Sequence, residues 1–277
     1  MATQSTPVLI LRPSTGFLRL HLRDLWEYRE LLYFLVWRDI KVRYKQTALG
    51  AAWAILQPVM TMVVFSIFFG RLAKVPSDGV PYPIFAYVAL LPWQLFAFSL
   101  TESSNSLVAS QNLITKVYFP RLVIPIASVL AGLVDFAIAF VFLAALMVWY
   151  HIMPSWNVVF LPLLILLMML TSAGIGMLLS ALAIQYRDVR HAMGFTIQAL
   201  MYAAPVVWPV SKLPPGIRLW YGLYPMAGVI EGFRASLLNT GPMPWDLIGM
   251  GSITATISFL VGALYFRRTE RFFADVA

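Results

Sequence analysis

The chain has 277 residues, of which 60% are hydrophobic and 12% charged, about half the charged fraction of a soluble domain. This composition indicates an integral membrane protein and leaves no room for a soluble enzyme domain. The absence of cysteine excludes disulfides, thiolate metal sites and cysteine nucleophiles. The net charge of +8 could suggest a nucleic-acid partner, but the basic residues flank apolar runs and orient the chain in a membrane. We therefore expect no nucleic-acid partner.

The N-terminal part divides into a tail and a helix. Residues 1–22 contain two prolines and are predicted to form a loosely ordered tail. Residues 23–46 favour an amphipathic helix, because apolar residues recur every three or four positions and charged residues lie opposite them. We expect this helix to lie along the membrane surface, with Arg29 and Arg43 snorkelling from its apolar side. A plain membrane anchor and a gating or docking role both fit this pattern.

Six apolar runs follow, each about long enough to cross a bilayer, which takes about 20 residues. They cover residues 51–70, 84–104, 122–150, 158–184, 192–210 and 247–266. Most Lys and Arg residues lie on one side of these runs, and by the positive-inside rule that side is the cytoplasm. The sequence predicts an all-α integral membrane protein with six transmembrane helices and both termini in the cytoplasm.

Two local features refine this topology. The small residues Ser172, Ala173, Gly174 and Gly176 in the fourth run would let another helix approach closely. Residues 211–239 are broken by Pro and Gly, which predicts short re-entrant or surface helices on the external side, before the last span.

Asp135 is the only charged residue of the third run. A carboxylate inside a membrane is by default a candidate functional group, because exposing it to lipid costs several kcal/mol. A helix–helix hydrogen bond or a neutral protonated acid would explain it equally. No second buried charge in the sequence completes a proton relay.

Motifs of self-contained chemistry are absent from the sequence. It has no G-x-x-x-x-G-K-[ST] phosphate loop, no H-E-x-x-H and no G-x-S-x-G. The three histidines, His21, His151 and His191, are too scattered for a metal site. We therefore expect no catalytic residue and no metal ion.

Two polar loops and a set of aromatics remain as candidate sites. Residues 105–121 interrupt two apolar runs on the cytoplasmic side, where we expect a partner to bind, and residues 185–190 form a second basic loop. Aromatic faces suit sugar rings, and the candidates for lining a sugar pathway are Trp53, Phe65, Phe68, Tyr87 and Trp93. An ordinary interfacial belt of Trp and Tyr is the alternative.

Three collinear stretches carry a family resemblance: WRDIKVRYKQTALGAAWAILQP at 37–58, NLITKVYFPR at 112–121 and LAIQYRDV at 182–189. A fourth is YPMAGVIEGFR at 224–234. They resemble the membrane subunit of type-2 ABC exporters, in particular the permeases for lipid-linked polysaccharides of the O-antigen, capsule and teichoic-acid kind. The resemblance covers a transmembrane domain over residues 31–268.

The resemblance implies a homodimer of this chain with two copies of a separate ATP-binding cassette subunit, which would bind ATP and Mg²⁺. This chain would then bind no cofactor and be no enzyme. Its cargo would be an undecaprenyl-pyrophosphate-linked glycan, moved across the bacterial inner (plasma) membrane to its outer face. A drug or small-lipid exporter is one alternative, and an integral-membrane enzyme acting on lipid-linked sugars is another.

The resemblance also implies roles for particular residues. Those that would couple to the ATPase are Asn112, Lys116, Tyr118, Arg121, Tyr186, Arg187 and Asp188. Those that could guide the pyrophosphate at the entrance are Arg38, Lys41, Arg43 and Lys45, although attraction to anionic membrane lipid explains the same charges. The pathway would lie between protomers, along the first, second and fifth spans. The residues that would form the external gate are Pro214, Tyr224, Glu231 and Arg234.

Overall fold

The computed structural model describes residues 26–45, 47, 49–117, 119–186 and 188–270. The tail predicted at residues 1–22 lies outside these ranges, as do Tyr118 and Arg187. Within them the chain is helical and contains no β-strand. Its helices are α1 (Arg29–Tyr44), α2 (Trp53–Phe65), α3 (Tyr82–Ala109), α4 (Gln111–Lys116), α5 (Val123–Trp149), α6 (Leu161–Gln185), α7 (Asp188–Ala203), α8 (Pro215–Tyr221), α9 (Pro225–Leu237) and α10 (Trp245–Thr269). The all-α prediction is confirmed for the described residues.

Five helical segments are long and apolar enough to cross a membrane. They are Gly50–Leu72, Tyr82–Ala109, Val123–Trp149, Trp156–Gln185 and Trp245–Thr269. The first joins α2 to the short turns before and after it, and the fourth joins α6 to the turn Trp156–Phe160. Together with the composition, these helices show an integral membrane protein.

The remaining predicted span, residues 192–210, is not one continuous helix. It corresponds to α7, which has 16 residues and ends at Ala203, so that it extends about 24 Å against a hydrocarbon core of about 30 Å. The helix ends because Pro205 and Pro209 follow, and a proline can neither donate a backbone hydrogen bond nor fit inside a helix. The predicted length of this span was therefore wrong.

Helix α3 is the centre of the bundle. Every residue from Ile84 to Leu91 is buried, and α3 packs against α2, α5, α6 and α9. The first span, Gly50–Leu72, by contrast presents most of its apolar side chains outside the protomer, among them Met60 of α2 and Phe68 of the π-helical segment Ser66–Leu72. A span that is apolar on all sides can lie at the centre of the bundle or at its periphery, because lipid covers apolar side chains as well as protein does.

Small residues bring three spans together. A Cβ atom added at Gly262 of α10 would lie 2.0 Å from the carbonyl oxygen of Gly174 on α6, and one added at Gly176 would lie 2.4 Å from the Oγ of Ser103 on α3. Backbones this close leave no room for a side chain. The prediction that the small-residue cluster of the fourth run permits close helix packing is confirmed.

A separate hydrophobic cluster joins the helix ends at one end of the bundle. It contains Leu35 of α1, Ile114 of α4 and Phe119, and it also includes side chains from the first third of α5, the last part of α6 and the end of α10. The predicted apolar face of α1 packs on it through Tyr28, Leu32 and Val36. The aromatic side chains on the other face are exposed: Trp26, Tyr33, Phe34 and Trp37.

Candidate functional site

The loop between α3 and α5 carries a short helix with one apolar anchor. In α4, Ile114 is buried, while Asn112 and Lys116 are exposed. Phe119 after the helix is also buried, so the loop is held on the bundle from both sides. A cleft of about 310 Å³ lies along it, lined by Ile114, Thr115, Lys116, Val117, Phe119 and Arg121. This geometry fixes the loop rigidly and leaves its polar face available to a partner.

Arg121 has a role within the chain. Its backbone amide lies 3.2 Å from the carboxylate of Glu270, and its guanidinium donates to the Glu270 carbonyl oxygen. Glu270 directly follows α10, so this residue connects the loop before α5 with the end of the last helix. The side chain predicted to contact the ATPase therefore also links two elements of its own chain.

The second predicted coupling loop lies at the same end of the bundle. Ile184, near its start, packs on the cluster that contains Ile114. Tyr186 is 60% exposed and Asp188, the first residue of α7, is exposed as well. The structure thus brings the two predicted coupling loops to one end of the molecule, with Tyr118 and Arg187 outside the described residues.

The four basic residues predicted at the entrance fall into two groups. Arg38 bonds the neighbouring carboxylate of Asp39 at 2.9 and 3.0 Å, Lys41 lies 5.5 Å from the centre of the Trp37 ring, and Lys45 is exposed. These three side chains lie on the outer side of α1. Arg43 instead turns toward α5 with its side chain 25% exposed, and its role at the entrance stays a prediction.

Arg43 forms an ion pair with Asp135 of α5. The hydroxyl of Tyr44 donates to the other carboxylate oxygen of Asp135, and the Arg43 guanidinium lies 3.8 Å from the centre of the Phe98 ring on α3. Burial first, and the bond to Asp135 second, raise the pKa of Tyr44, which keeps its hydroxyl protonated as a donor. Asp135 therefore bonds another helix, which was one of the explanations open for this carboxylate in the sequence.

The aromatic residues predicted to line a sugar pathway fall into an exposed group and a buried group. Trp53 at the start of α2 and Phe68 just after it are more than half exposed, and Phe65 is partly buried. Tyr87 and Trp93 are buried in the core of the protomer, where the Tyr87 hydroxyl donates to the Ala139 carbonyl at 3.2 Å. In this structure Tyr87 and Trp93 therefore pack inside the protomer, and contact of these two rings with a sugar stays a prediction.

The most polar buried site lies at the opposite end, around Arg234 of α9. Its side chain is completely buried, bonding the carboxylate of Glu231 at 2.8 Å and the carbonyl oxygens of Val206 and Trp208 at 2.9 and 3.4 Å. Glu231 also accepts from the backbone amide of Val210 at 3.1 Å. These bonds hold the segment that follows α7 against α9.

Three tyrosines complete this site. The hydroxyls of Tyr221, Tyr224 and Tyr82 donate to the carbonyl oxygens of Ala203, Leu200 and Val207 at 2.6, 3.2 and 2.9 Å. Burial is the main cause that raises the pKa of Tyr221 and of Tyr224. The carbonyl of Leu200 also accepts from the backbone amide of Ala204 at 2.9 Å. Because α7 ends at Ala203, the Ala203 carbonyl lies at a helix terminus, where Tyr221 supplies a donor.

Sequence reasoning predicted three residues of this site: the ion pair of Glu231 and Arg234, and the hydroxyl donor Tyr224. It missed Tyr82 and Tyr221. The available signal was the pair Pro205 and Pro209, since a helix broken by proline inside a membrane must find donors elsewhere. The fourth predicted gate residue, Pro214, is exposed and precedes α8.

The chain matches known proteins over most of its length. The profile of the family described as ABC-2 type transporter matches residues 30–238. A protein of Myxococcus xanthus called O-antigen export system permease protein RfbA is 28% identical over 254 residues, which are 90% of this chain and 96% of that protein. A protein of Klebsiella pneumoniae with the same name is 27% identical over 251 residues, 89% of this chain and 95% of its own length. The polysialic acid transport protein KpsM of Escherichia coli is 23% identical over 206 residues, 73% of this chain and 78% of its own.

Proposed function

The chain belongs to the ABC-2 type transporter family, and from this premise we propose that it is the membrane-spanning permease subunit of an exporter for a lipid-linked, O-antigen-like polysaccharide. The observation that carries the proposal is the similarity to two proteins named for O-antigen export, which extends over nearly the whole of each chain. The third relative is named for another polysaccharide. A glycan cargo is therefore better supported than a drug or a small lipid.

The energy for transport would come from a separate ATP-binding cassette subunit, present in two copies with ATP and Mg²⁺. In this proposal the ATPase docks on the exposed polar face of α4, at Asn112 and Lys116, with a smaller contact at Tyr186 and Asp188. A short helix anchored by Ile114 and Phe119 is suited to this task, because it can pass a rigid-body movement directly to α3 and α5.

Two copies of the chain would enclose the pathway. The first span, Gly50–Leu72, presents apolar side chains outside the protomer, with Trp53 and Phe68 exposed toward its two ends, and α7 presents Phe195 and Tyr202. In a homodimer these helices would face the pathway between protomers, where aromatic rings can contact sugar without fixed hydrogen bonds. The proposed topology has six spans with both termini in the cytoplasm, and α7 is its short fifth span.

The two ends of the bundle would serve entry and exit. Arg38, Lys41 and Lys45 would meet an undecaprenyl pyrophosphate, or anionic lipid, at the cytoplasmic face of the bacterial inner membrane. Residues 213–238, with α8 and α9, would form the re-entrant external part. There the bonds from Glu231 and Arg234 to the segment after α7 would keep the exit closed.

The experiment that tests the proposal has two readouts. The tagged chain is purified in mild detergent from its own host, and copurifying proteins are identified by mass spectrometry. In parallel, the chain is depleted and the glycan at the cell surface is measured together with the lipid-linked glycan retained inside. We expect recovery of an ATP-binding cassette subunit in equal amount, loss of surface glycan and accumulation of its lipid-linked precursor.

The outcomes separate the alternatives. An altered drug sensitivity with unchanged surface glycan would favour a drug or small-lipid exporter. Recovery of the chain without an ATPase, even after cross-linking at residues 105–121, would contradict the transporter. Chemical change of a lipid-linked sugar by the purified chain alone would favour the membrane enzyme.

A further inference from the structure

Asp135 occupies an unusual position for a carboxylate. It lies twelve residues into α5, about 18 Å along the helix axis, in an otherwise apolar span. Both of its oxygens are engaged by α1, one by the guanidinium of Arg43 and the other by the hydroxyl of Tyr44. About three quarters of each ionic side chain is covered by protein. One carboxylate therefore receives two donors from consecutive residues of another helix.

The two helices run side by side in the same direction. Leu35 of α1 lies in the hydrophobic cluster that contains Ala127 of α5, and eight residues further along each chain Arg43 meets Asp135. Helix α1 is in contact with α5. Helix α1 is thus attached at its beginning by apolar contacts, and at its end by this polar junction.

The junction lies directly before the link that leads into α2. The described residues between Tyr44 and Gly50 form no helix, and Lys45, Thr47 and Leu49 are exposed. Among the described residues of the link, the Thr47 hydroxyl donates to the Tyr44 carbonyl oxygen at 3.1 Å, a bond that leads back to α1 and not to α5. A charged pair shielded from water resists separation, because removing one partner leaves the other charge poorly solvated.

We propose that Asp135 is a positioning residue: it anchors the C-terminal end of α1 to the middle of α5 through Arg43 and Tyr44, and so sets where α1 holds its basic outer side chains. The anchoring stands on the contacts alone. Its consequence for glycan entry past Arg38 and Lys41 rests on the proposed function.

The test uses the accessibility of α1 in the assembled transporter. Because the chain has no native cysteine, Ile40→Cys on the half-buried face of α1 introduces a single reactive thiol. Inside-out membrane vesicles carrying the full transporter are treated with a charged maleimide. We expect Asp135→Asn and Arg43→Gln each to increase the labelling rate at position 40 about tenfold, a change that corresponds to ~1.4 kcal/mol.

Arg38→Gln is the matched control. It removes the same charge from the same helix, but Arg38 bonds its own neighbour Asp39, so labelling should stay at the parental rate. The exchanged pair Arg43→Asp with Asp135→Arg should return labelling toward that rate. Parental labelling in both single variants, or a swap that labels as fast as they do, would overturn the anchoring.

Glycan export is measured in the same strains as an independent readout. Reduced surface glycan in Asp135→Asn and Arg43→Gln, with normal amounts of chain in the membrane, supports the positioning of the entrance. Parental export despite rapid labelling would overturn that role and leave the anchoring intact. The labelling itself needs no cargo, so it does not depend on whether the proposed function holds.

Discussion

The guanidinium of Arg234 lies 3.6 Å from the centre of the Phe85 ring in a site that excludes solvent from the whole arginine side chain. The ring faces a cation whose other contacts are Glu231 and two backbone carbonyls. Cation–π contacts are strongest when desolvated. This contact joins the central helix α3 to α9, and through the carbonyls it holds the end of α7.

Arg234→Met should destabilise the protein strongly. The apolar replacement leaves the carboxylate of Glu231 and the carbonyls of Val206 and Trp208 without their buried donor, and losing one partner of a buried pair costs about 3–5 kcal/mol. The midpoint of thermal unfolding in detergent should fall clearly. Arg218→Met is the control, since its pair with Asp246 is partly exposed and should contribute about 0–1 kcal/mol. Equal midpoints for the two variants would contradict the importance of this site.

Gly262→Ala should disrupt the contact between α6 and α10. The new methyl group would stand 2.0 Å from the carbonyl oxygen of Gly174, and forcing the backbones apart costs about 1–3 kcal/mol. Gly249→Ala on the same helix is the matched control, since a Cβ there meets nothing within 4 Å. Folded protein recovered by size-exclusion chromatography after heating should fall for the first variant only. A loss of the same size in both variants would point to helix α10 itself.

Tyr221→Phe should weaken the hold on the end of α7. The hydroxyl donates to the Ala203 carbonyl at 2.6 Å, and such a bond contributes about 0.5–1.5 kcal/mol. Hydrogen exchange at the last turn of α7 should become faster, while the rest of the bundle keeps its protection. Tyr202→Phe, an exposed tyrosine on the same turn, serves as control and should leave exchange unchanged. Unchanged exchange in Tyr221→Phe would mean that this bond does not hold the helix end.

Lys116→Glu and Arg121→Glu should differ, although both reverse a charge of the same loop. Lys116 is exposed on α4, so its reversal should reduce copurification of the ATPase with unchanged thermal stability. Arg121 bonds the Glu270 region, so its reversal should also lower the unfolding midpoint. Full ATPase recovery and normal export in the double variant would remove the coupling assignment.

Phe68→Ala and Tyr87→Ala should have different effects, the first on transport and the second on stability. Phe68 is exposed in the first span, just after α2, so its truncation should reduce surface glycan with normal amounts of folded chain. Tyr87 is completely buried beside Phe142, and removing such a side chain costs about 3–5 kcal/mol. Membrane levels of this variant should fall before any transport defect can be assigned. Unchanged glycan display with Phe68→Ala would return this ring to a packing role.

The parts of the fold that could be predicted depend on local sequence. Long apolar runs identify spans, and the small residues around Gly174 predicted a close helix contact that the structure shows. Prolines predicted the broken segment before α10, yet the same rule applied to Pro205 would have shortened the fifth span. The fifth span was predicted too long because its end was placed by hydrophobicity alone. Residues 204–210 are apolar, but their prolines cannot continue a helix.

The candidate sites were harder to predict, because the direction of a side chain depends on its neighbours in space. Arg43 is one of four basic residues closely spaced along α1, and only the position of Asp135, 92 residues later in the chain, turns it inward. Tyr221 became a donor because the end of α7 lies beside it. Neither relationship leaves a trace in the local pattern.

By itself the sequence determined the class of protein, the positions of the apolar runs and the family motifs, because these follow from composition and short-range order. Only the tertiary structure decided which face of each span is buried. In a membrane, lipid covers an apolar side chain as well as a neighbouring helix does, so hydrophobicity cannot distinguish buried Tyr87 from exposed Phe68. Packing of small residues and satisfaction of buried polar groups such as Arg234 and Asp135 make that distinction.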